Sequence, residues 1–529
     1  MQQSQFSKKI YHIFRLMSTN KEIARSASLI GFFTLCSRSL GFIRDVVIAR
    51  FFGTGMYSQA FVVAFRIPNL LRDMVAEGAV NAAFVPVFSE YAAKKSKEDF
   101  WHLANCLLNI LLVILAALTI LGVVFSPWIV RLIAPGFSSD ALKFQETVRL
   151  TRIIYPYLLL IALSAYCMGI LNSLKSFAIS SLAPCFLNIS IIVFAVIYKE
   201  TTLGLALGVL AGGVLQLAVQ IPMLYKKGFR YSAALKPHHP GIRQIRKLIL
   251  PRIFSSCIYQ LNLFVDTILG SLAHIVGQGA ISALYFANRI FQFPLGIFGI
   301  AIAQAALPSL SHQALEDNLD NFKKTLNFSL IAVFLIMLPI SALMAVLAKP
   351  IVAALFQGGR FDAYSTEITS GALLFYALSL SFYAANKVLV SGFFSLKDTK
   401  TPLKITAASL LVNIVFNLIL MYPLKLKGLA LATSLSGGIN FFILFHSLRK
   451  KIGPLGGRYL SRVFTKILFS SLTASAASFY IYGRCLVARS PLARVSAAAL
   501  SGLLIFILGA LILDSAEIKK VIQWVLRKK

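Results

Sequence analysis

Seven basic side chains, Arg38, Arg44, Arg66, Arg72, Arg152, Arg289 and Lys387, fall inside stretches otherwise apolar enough to cross a membrane. Only Asp45, Asp73, Glu77 and Asp266 are comparable acids. A Lys or Arg at mid-bilayer costs roughly 2.5–3.5 kcal/mol on insertion scales. Four arginines facing lipid would cost about 10–14 kcal/mol, comparable to the whole stability of a typical domain. They are therefore expected to face a water-filled cavity. Some charge can be neutralised within a helix, as Arg38 and Asp45 lie seven apart on one face; the acids Asp73 and Glu77 lie four apart on another. The first, second and eighth spans still carry more positive than negative charge, so the cavity should prefer an anion. A guanidinium fork matches phosphate oxygens bidentately, which makes phosphate or pyrophosphate the expected ligand group. Snorkelling or structural pairing is the competing reading. It is strongest for Arg66 and Arg152, weaker for Arg38 and evenly weighted for Lys387. Asp266, isolated in Leu263-Phe-Val-Asp266, is either a satisfied hydrogen-bonder or a cation or proton site.

The elements that must position these groups follow from composition. Of 529 residues, 58% are hydrophobic and only 13% charged. Soluble domains run at about 45–50% apolar and about 25% charged. The excess excludes a water-soluble core, disorder and a disulfide mini-scaffold, and leaves an all-α polytopic membrane protein. The net charge of +33 would suggest nucleic acid in a soluble protein. Here the basic residues punctuate apolar runs, so they read as topology signals and contacts to anionic membrane lipids, with no nucleic acid as partner. The six cysteines, Cys36, Cys106, Cys167, Cys185, Cys257 and Cys485, lie far apart and read as small packing residues.

Residues 1–25 are basic and hold no apolar core of signal-peptide length, so the N-terminus is expected in the cytoplasm. About fourteen spans follow. The basic loop 226–246 falls inside, as does the basic tail 514–529, giving an N-in, C-in protein. The chain also repeats at about 222 residues. Ala83-Phe-Val-Pro86-Val-Phe-Ser89 recurs as Ala305-Ala-Leu-Pro308-Ser-Leu-Ser311, Ser173-Leu174-Lys175 as Ser395-Leu396-Lys397, and Ala64-Phe-Arg66-Ile67 as Ala287-Asn-Arg289-Ile290. Six spans fit in one period. An even number gives two lobes of equal orientation, related by a pseudo-twofold axis along the membrane normal, which is a known transporter plan. The expected division is an N-lobe over 26–225, a linker over 226–246, a C-lobe over 247–450 and two unpaired helices over 451–513. Gly204, Gly208 and Gly212 form a small-residue stripe, read as close helix packing. His238 and His239 read as a solvated loop pair. No motif for bond-breaking chemistry or ATP binding occurs, so the chain is not expected to be an enzyme.

At this point the residues resemble a family. Ser37-Arg-Ser-Leu-Gly-Phe-Ile-Arg-Asp45, Ala64-Phe-Arg-Ile-Pro-Asn-Leu-Leu-Arg72, Ala83-Phe-Val-Pro86, Tyr285-Phe-Ala-Asn-Arg-Ile-Phe-Gln-Phe-Pro294 and Lys400-Thr-Pro402 resemble, in order, the signature of the bacterial lipid II flippases MurJ (MviN). The resemblance implies the multidrug/oligosaccharidyl-lipid/polysaccharide (MOP) exporter fold and an inner-membrane location. It also implies lipid II as substrate, that is, undecaprenyl-pyrophosphate carrying the peptidoglycan disaccharide-pentapeptide. Cell-wall synthesis machinery is an implied partner. By resemblance, the substrate-binding residues are Arg38, Arg44, Asp45, Arg72, Glu77 and Arg289. A sodium site maps to Asp266, Asn413, Asn417 and Thr433, with Asn417 in place of a carboxylate. The last two helices would form a groove for the lipid tail. The chain departs from the family pattern at Gln59, Asp73 and Asn288, so a salt bridge through residue 59 or 288 is not carried over. The alternative is an exporter of another polyprenyl-linked oligosaccharide, or of drugs, on the same fold.

Overall fold

A computed structural model describes residues 28–72, 83–234, 236, 238–316, 318–484 and 490–512, leaving aside the side chains of 71–72, 250–259 and 511–512. No strand occurs among the described residues. Helix α1 covers 28–52. It is followed by α2 (Met56–Arg72), α3 (Val85–Lys94), α4 (Lys97–Val124), α5 (Ser126–Ile133), α6 (Ala141–Ile154), α7 (Tyr157–Ser173), α8 (Phe177–Ile197), α9 (Thr202–Ala218), α10 (Ile221–Lys226) and α11 (Pro240–Gly270). The second half holds α12 (Ala273–Val276), α13 (Ala280–Pro294), α14 (Ile300–Leu315), α15 (Leu319–Val346), α16 (Ala348–Phe356), α17 (Ala363–Ala377), α18 (Leu380–Ser395), α19 (Lys400–Leu424) and α20 (Leu426–Ile452). Helices α21 (Gly457–Arg484) and α22 (Pro491–Ile512) close the described chain.

Among the described residues, nine helical spans are long and apolar enough to cross a bilayer. The pair α17 and α18, bent by 44°, raises this to ten. The expected fourteen is not reached by that measure. Helices α1 and α21 are long but carry charges along their length, such as Arg38, Arg44 and Asp45 in α1 and Arg458, Arg462 and Lys466 in α21.

The 222-residue repeat is visible in backbone detail. Helices α4 and α15 begin at 97 and 319 and end at 124 and 346, an offset of 222 at both ends. Ser96 caps α4 by accepting from the Asp99 N–H, and Asn318 caps α15 by accepting from the Asn321 N–H. Lys175 and Lys397, again 222 apart, are two of three non-glycine residues with positive φ among the described residues. Each closes a Schellman-type cap, with Ser176 N–H bonded to Leu171 O and Asp398 N–H to Phe393 O. Two short polar turns with the same unusual geometry identify one helical plan used twice.

The chain divides into two compact units. One comprises Met1–Ile48, Val63–Val130 and Phe144–Cys257; the other Ala49–Val62, Arg131–Lys143 and Ile258–Lys529. In the first, Phe84, Phe88, Phe100 and Tyr166 build an aromatic core, and Tyr166 donates its hydroxyl to Ala104 O. The glycine stripe packs as expected: a Cβ on Gly208 would lie 2.9 Å from Ile191 Cα, and one on Gly212 would lie 2.9 Å from Leu187 Cα. Helices α8 and α9 therefore touch backbone to backbone. Cys106, Cys167 and Cys185 are buried. In the second unit, Phe286, Phe356 and Phe361 cluster with ring centroids 5.3–5.8 Å apart.

The linker after α10 is tied down rather than loose. Asn105 Nδ2 donates to Arg230 O, and Asn109 Nδ2 donates to Ser232 O and Ala234 O. These two side chains, one turn apart on α4, hold the extended backbone as an edge strand would. The reading of His239 as solvated is corrected here. Its ring is half-buried against Tyr91 and His102, with centroids 6.0 and 5.8 Å away. Burial, then the neighbouring His102, pushes its pKa below the ordinary histidine value.

Candidate functional site

In the first unit, α1 carries Arg44 and Asp45 through apolar surroundings, with both side chains buried. Arg44 Nε and Nη2 both donate to Asp45 Oδ1, at 3.0 and 2.8 Å, and Nη1 donates to Asn188 Oδ1 at 3.0 Å. Asn188, on α8, is itself aimed by donating to Ser37 O at 3.1 Å. A buried guanidinium survives in apolar surroundings only when its charge and donors are met this way. The expected partnership of Asp45 with Arg38 is corrected. Arg38 is exposed and forms no ion pair among the described residues, while the carboxylate serves the adjacent Arg44. The reason is direction: Asp45 turns inward with Arg44, and Arg38 points outward. Arg72 ends α2 with its side chain outside the described set, and Glu77 and Asp73 lie outside the described residues.

In the second unit, α13 carries Arg289. The guanidinium lies over the Tyr285 ring at 4.8 Å from its centroid, and Nη2 donates to Tyr285 Oη at 3.1 Å. One helical turn thus brings an aromatic face and a hydroxyl to the same cation.

The four residues implied as a sodium site are brought together in the second unit. Asn417 Nδ2 donates to Asp266 Oδ1 at 3.2 Å and to Asn413 Oδ1 at 2.9 Å. Asn413 Nδ2 donates to Thr433 Oγ1 and Ser436 Oγ, both at 3.4 Å. Asn413 and Asn417 are buried. The Oδ1 of Asn417 is buried with no hydrogen-bond partner among the described residues. An orphaned acceptor beside a carboxylate fits a small hard cation. No group of three or more His, Cys, Asp or Glu that could hold a metal ion occurs among the described residues. The oxygen-only set therefore suits an alkali ion better than zinc.

One end of the second unit is closed by two glycine turns. Arg360 N–H donates to Arg50 O at 2.8 Å, and Thr54 Oγ1 and Ser365 Oγ share a hydrogen bond of 2.8 Å. Gly53 and Gly359 have φ of +60° and +58°. A Cβ on the first would meet Arg360 O at 2.3 Å, and one on the second would meet Arg50 O at 2.3 Å. Beside this clasp is a cavity of about 330 Å³ lined by Thr54, Gln59, Lys143, Arg360 and Ser365. Gln59 Oε1 accepts from the buried Lys143 Nζ at 3.2 Å. Asp362, at the cavity edge, is held below the usual carboxylate range by the N–H of Ser365.

Sequence reasoning did not single out Asn188, the role of Tyr285 within its motif, or the glycine clasp. A polar Asn in the apolar run Phe186-Leu-Asn188-Ile was the available signal for the first. The clasp joins positions some 300 residues apart and left no local signal.

Comparison with known proteins shows what the whole chain is similar to. The family model described as "Lipid II flippase MurJ" matches residues 48–493. The probable lipid II flippase MurJ of Buchnera aphidicola subsp. Schizaphis graminum is 36% identical over 433 residues, covering 81% of this chain and 84% of that protein. The lipid II flippase MurJ of Burkholderia cenocepacia is 35% identical over 427 residues, covering 79% and 82%. A solved lipid II flippase MurJ in an inward closed conformation superposes with a TM-score of 0.76 at 26% identity, covering 92% of this chain and 98% of that one. An inward-facing multidrug MATE transporter of the MOP superfamily, 18% identical, covers 79% of this chain and 95% of its own, with a TM-score of 0.67, and shares the fold.

Proposed function

Because this chain belongs to the lipid II flippase MurJ family, we propose that it carries lipid II from the cytoplasmic to the periplasmic leaflet of a bacterial inner membrane. The observation that carries the residue-level reading is the pair of pinned guanidinium groups. Arg44 is held by Asp45 and Asn188, and Arg289 by Tyr285, each inside a long helix. Arginine forks kept charged and oriented in apolar surroundings match a pyrophosphate. Arg44 rests against Asp45, so the diphosphate must compete with that carboxylate. Arg72 and Glu77 join the same set by resemblance.

The transport step is alternating access. The glycine clasp supports this reading: a backbone hydrogen bond from Arg360 N–H to Arg50 O joins two turns at Gly53 and Gly359, whose backbone angles can change readily. The orphaned Asn417 oxygen supports sodium binding at Asp266, Asn413, Asn417 and Thr433. A bound ion would supply fixed positive charge there, and its binding would be linked to the conformational cycle. The charge distribution supports an N-in, C-in topology. Complementation tests the function. Expression in a strain depleted of its own lipid II flippase should restore growth, while Arg289→Ala, inserted at equal level, should not. Failure of the unaltered chain to restore growth would sink the assignment.

A further inference from the structure

A second cationic feature lies in the first unit, apart from Arg44. Helices α6 and α7 form one continuous span of 33 residues, Ala141–Ser173. At 1.5 Å per residue this is about 50 Å, whereas the hydrocarbon core is about 30 Å thick and takes about 20 residues. The α6 end therefore reaches the headgroup layer. There Pro127, Phe144, Val148 and Ile153 wall a groove of about 420 Å³ whose rim carries Arg149 and Arg152. Next to it Trp128, 67% exposed, leads the amphipathic helix α5, as an interfacial anchor does.

The rim is built. Arg152 Nε donates to Ser126 Oγ at 3.0 Å, and the buried Ser126 donates to Val123 O at 3.0 Å. This fixes the guanidinium at the junction of α4 and α5. Its Nη groups form no other hydrogen bond among the described residues. Arg149 pairs with Glu146 at 3.6 Å, and Glu146 is in turn bonded by Thr202 Oγ1. The second repeat shows that the fold does not need these groups. At the 222 offset, Ser126, Arg149 and Arg152 become Ala348, Gly371 and Leu374 in helices of matching register.

We propose that this groove binds an anionic glycerophospholipid, its acyl chain against Phe144 and Val148 and its phosphodiester on Arg149 and Arg152. Two arginines and one glutamate leave one net positive charge, which matches the single charge of a phosphodiester and not the roughly two of a pyrophosphate.

The test uses the full chain with Trp101→Phe and Trp524→Phe, which leaves Trp128 as the only tryptophan of three. The protein is placed in phosphatidylcholine vesicles containing either brominated phosphatidylglycerol or brominated phosphatidylcholine, and bromine quenching of Trp128 is read. Brominated phosphatidylglycerol should quench with about fivefold preference. Arg149→Gln with Arg152→Gln should abolish the preference. Glu146→Gln should raise it, an increase that misfolding cannot produce. Equal quenching by the two lipids, or a preference unchanged in the double variant, overturns the proposal. So does displacement of the brominated lipid by equimolar polyprenyl pyrophosphate, which would assign the groove to the carrier lipid.

Discussion

Asn188 Oδ1 lies 3.0 Å from Arg44 Nη1, an interhelical bond that fixes which way a buried guanidinium faces. Hydrogen bonds to charged groups contribute about 1.5–3 kcal/mol. Asn188→Ala should therefore cut lipid II translocation by about tenfold or more while the protein still inserts. Asn188→Asp should also impair it, by adding a second negative charge that competes with the substrate. Translocation at wild-type rate in Asn188→Ala would show that Arg44 needs no such positioning.

Tyr285→Phe separates the two contacts made to Arg289. The ring, and with it the cation–π contact of about 0.5–1 kcal/mol, stays, while the hydroxyl acceptor is lost. Turnover should fall by about three- to tenfold, well short of the effect of Arg289→Ala. Equal losses in the two variants would mean that the tyrosine acts on something other than the orientation of the arginine.

The clasp gives a conformational prediction. In Gly359→Val, a Cβ cannot sit 2.3 Å from Arg50 O, and the backbone at φ +58° disfavours a branched side chain. The clasp should open. A cysteine at Ser365 should then react several-fold faster with a membrane-impermeant thiol reagent than it does in the otherwise unaltered chain. Gly55→Ala is the control, because nothing lies within 4 Å of its Cβ position. Unchanged reactivity in Gly359→Val would remove the clasp from the account.

Sodium linkage can be measured on the folded state. A ligand bound only by the native protein raises Tm with its concentration. Replacing potassium with sodium should raise the Tm of the unaltered chain modestly. In Asn417→Asp, where a second carboxylate faces Asp266, the rise should be larger. No sodium dependence in either protein would remove the ion from the account.

Acid stability should depend on Asp398. Its carboxyl is held well below the usual carboxylate range by Lys451, whose Nζ lies 2.7 Å away, and by the N–H of Thr401. A depressed native pKa contributes stability that is fully present above the unfolded value, about 3.9, and is lost as pH falls through the lower native value. Asp398→Asn should lower Tm at pH 7 and flatten the decline of Tm below about pH 4. An unchanged acid limb would place the titration elsewhere.

Much of this architecture was legible in the chain because it is local. The duplicated Ser-Leu-Lys turns and the glycine stripe report backbone geometry within a few residues, and both appear as expected. Arg44 was legible as an intramembrane cation, since apolar neighbours make a charge conspicuous. Its partner was not. Helical spacing suggested that Asp45 would serve Arg38, but a seven-residue spacing cannot tell which side of a helix faces its neighbour, and the neighbour is α8, more than 140 residues away. The clasp between Gly53 and Gly359 was hidden for the same reason. The number of spans was hard to read because α1 and α21, long enough to cross, each carry several charges along their length.

The proposal is that lipid II translocation requires the guanidinium of Arg44 in the first unit and that of Arg289 in the second. Purified protein reconstituted into vesicles with fluorescent lipid II, read by quenching from the outer face, measures this directly. The account predicts rapid loss of protected lipid II with the unaltered chain. It predicts rates at the protein-free background for Arg44→Ala and Arg289→Ala, with partial recovery when lysine replaces either arginine. Wild-type translocation by the two alanine variants, folded and inserted at equal density, would contradict it.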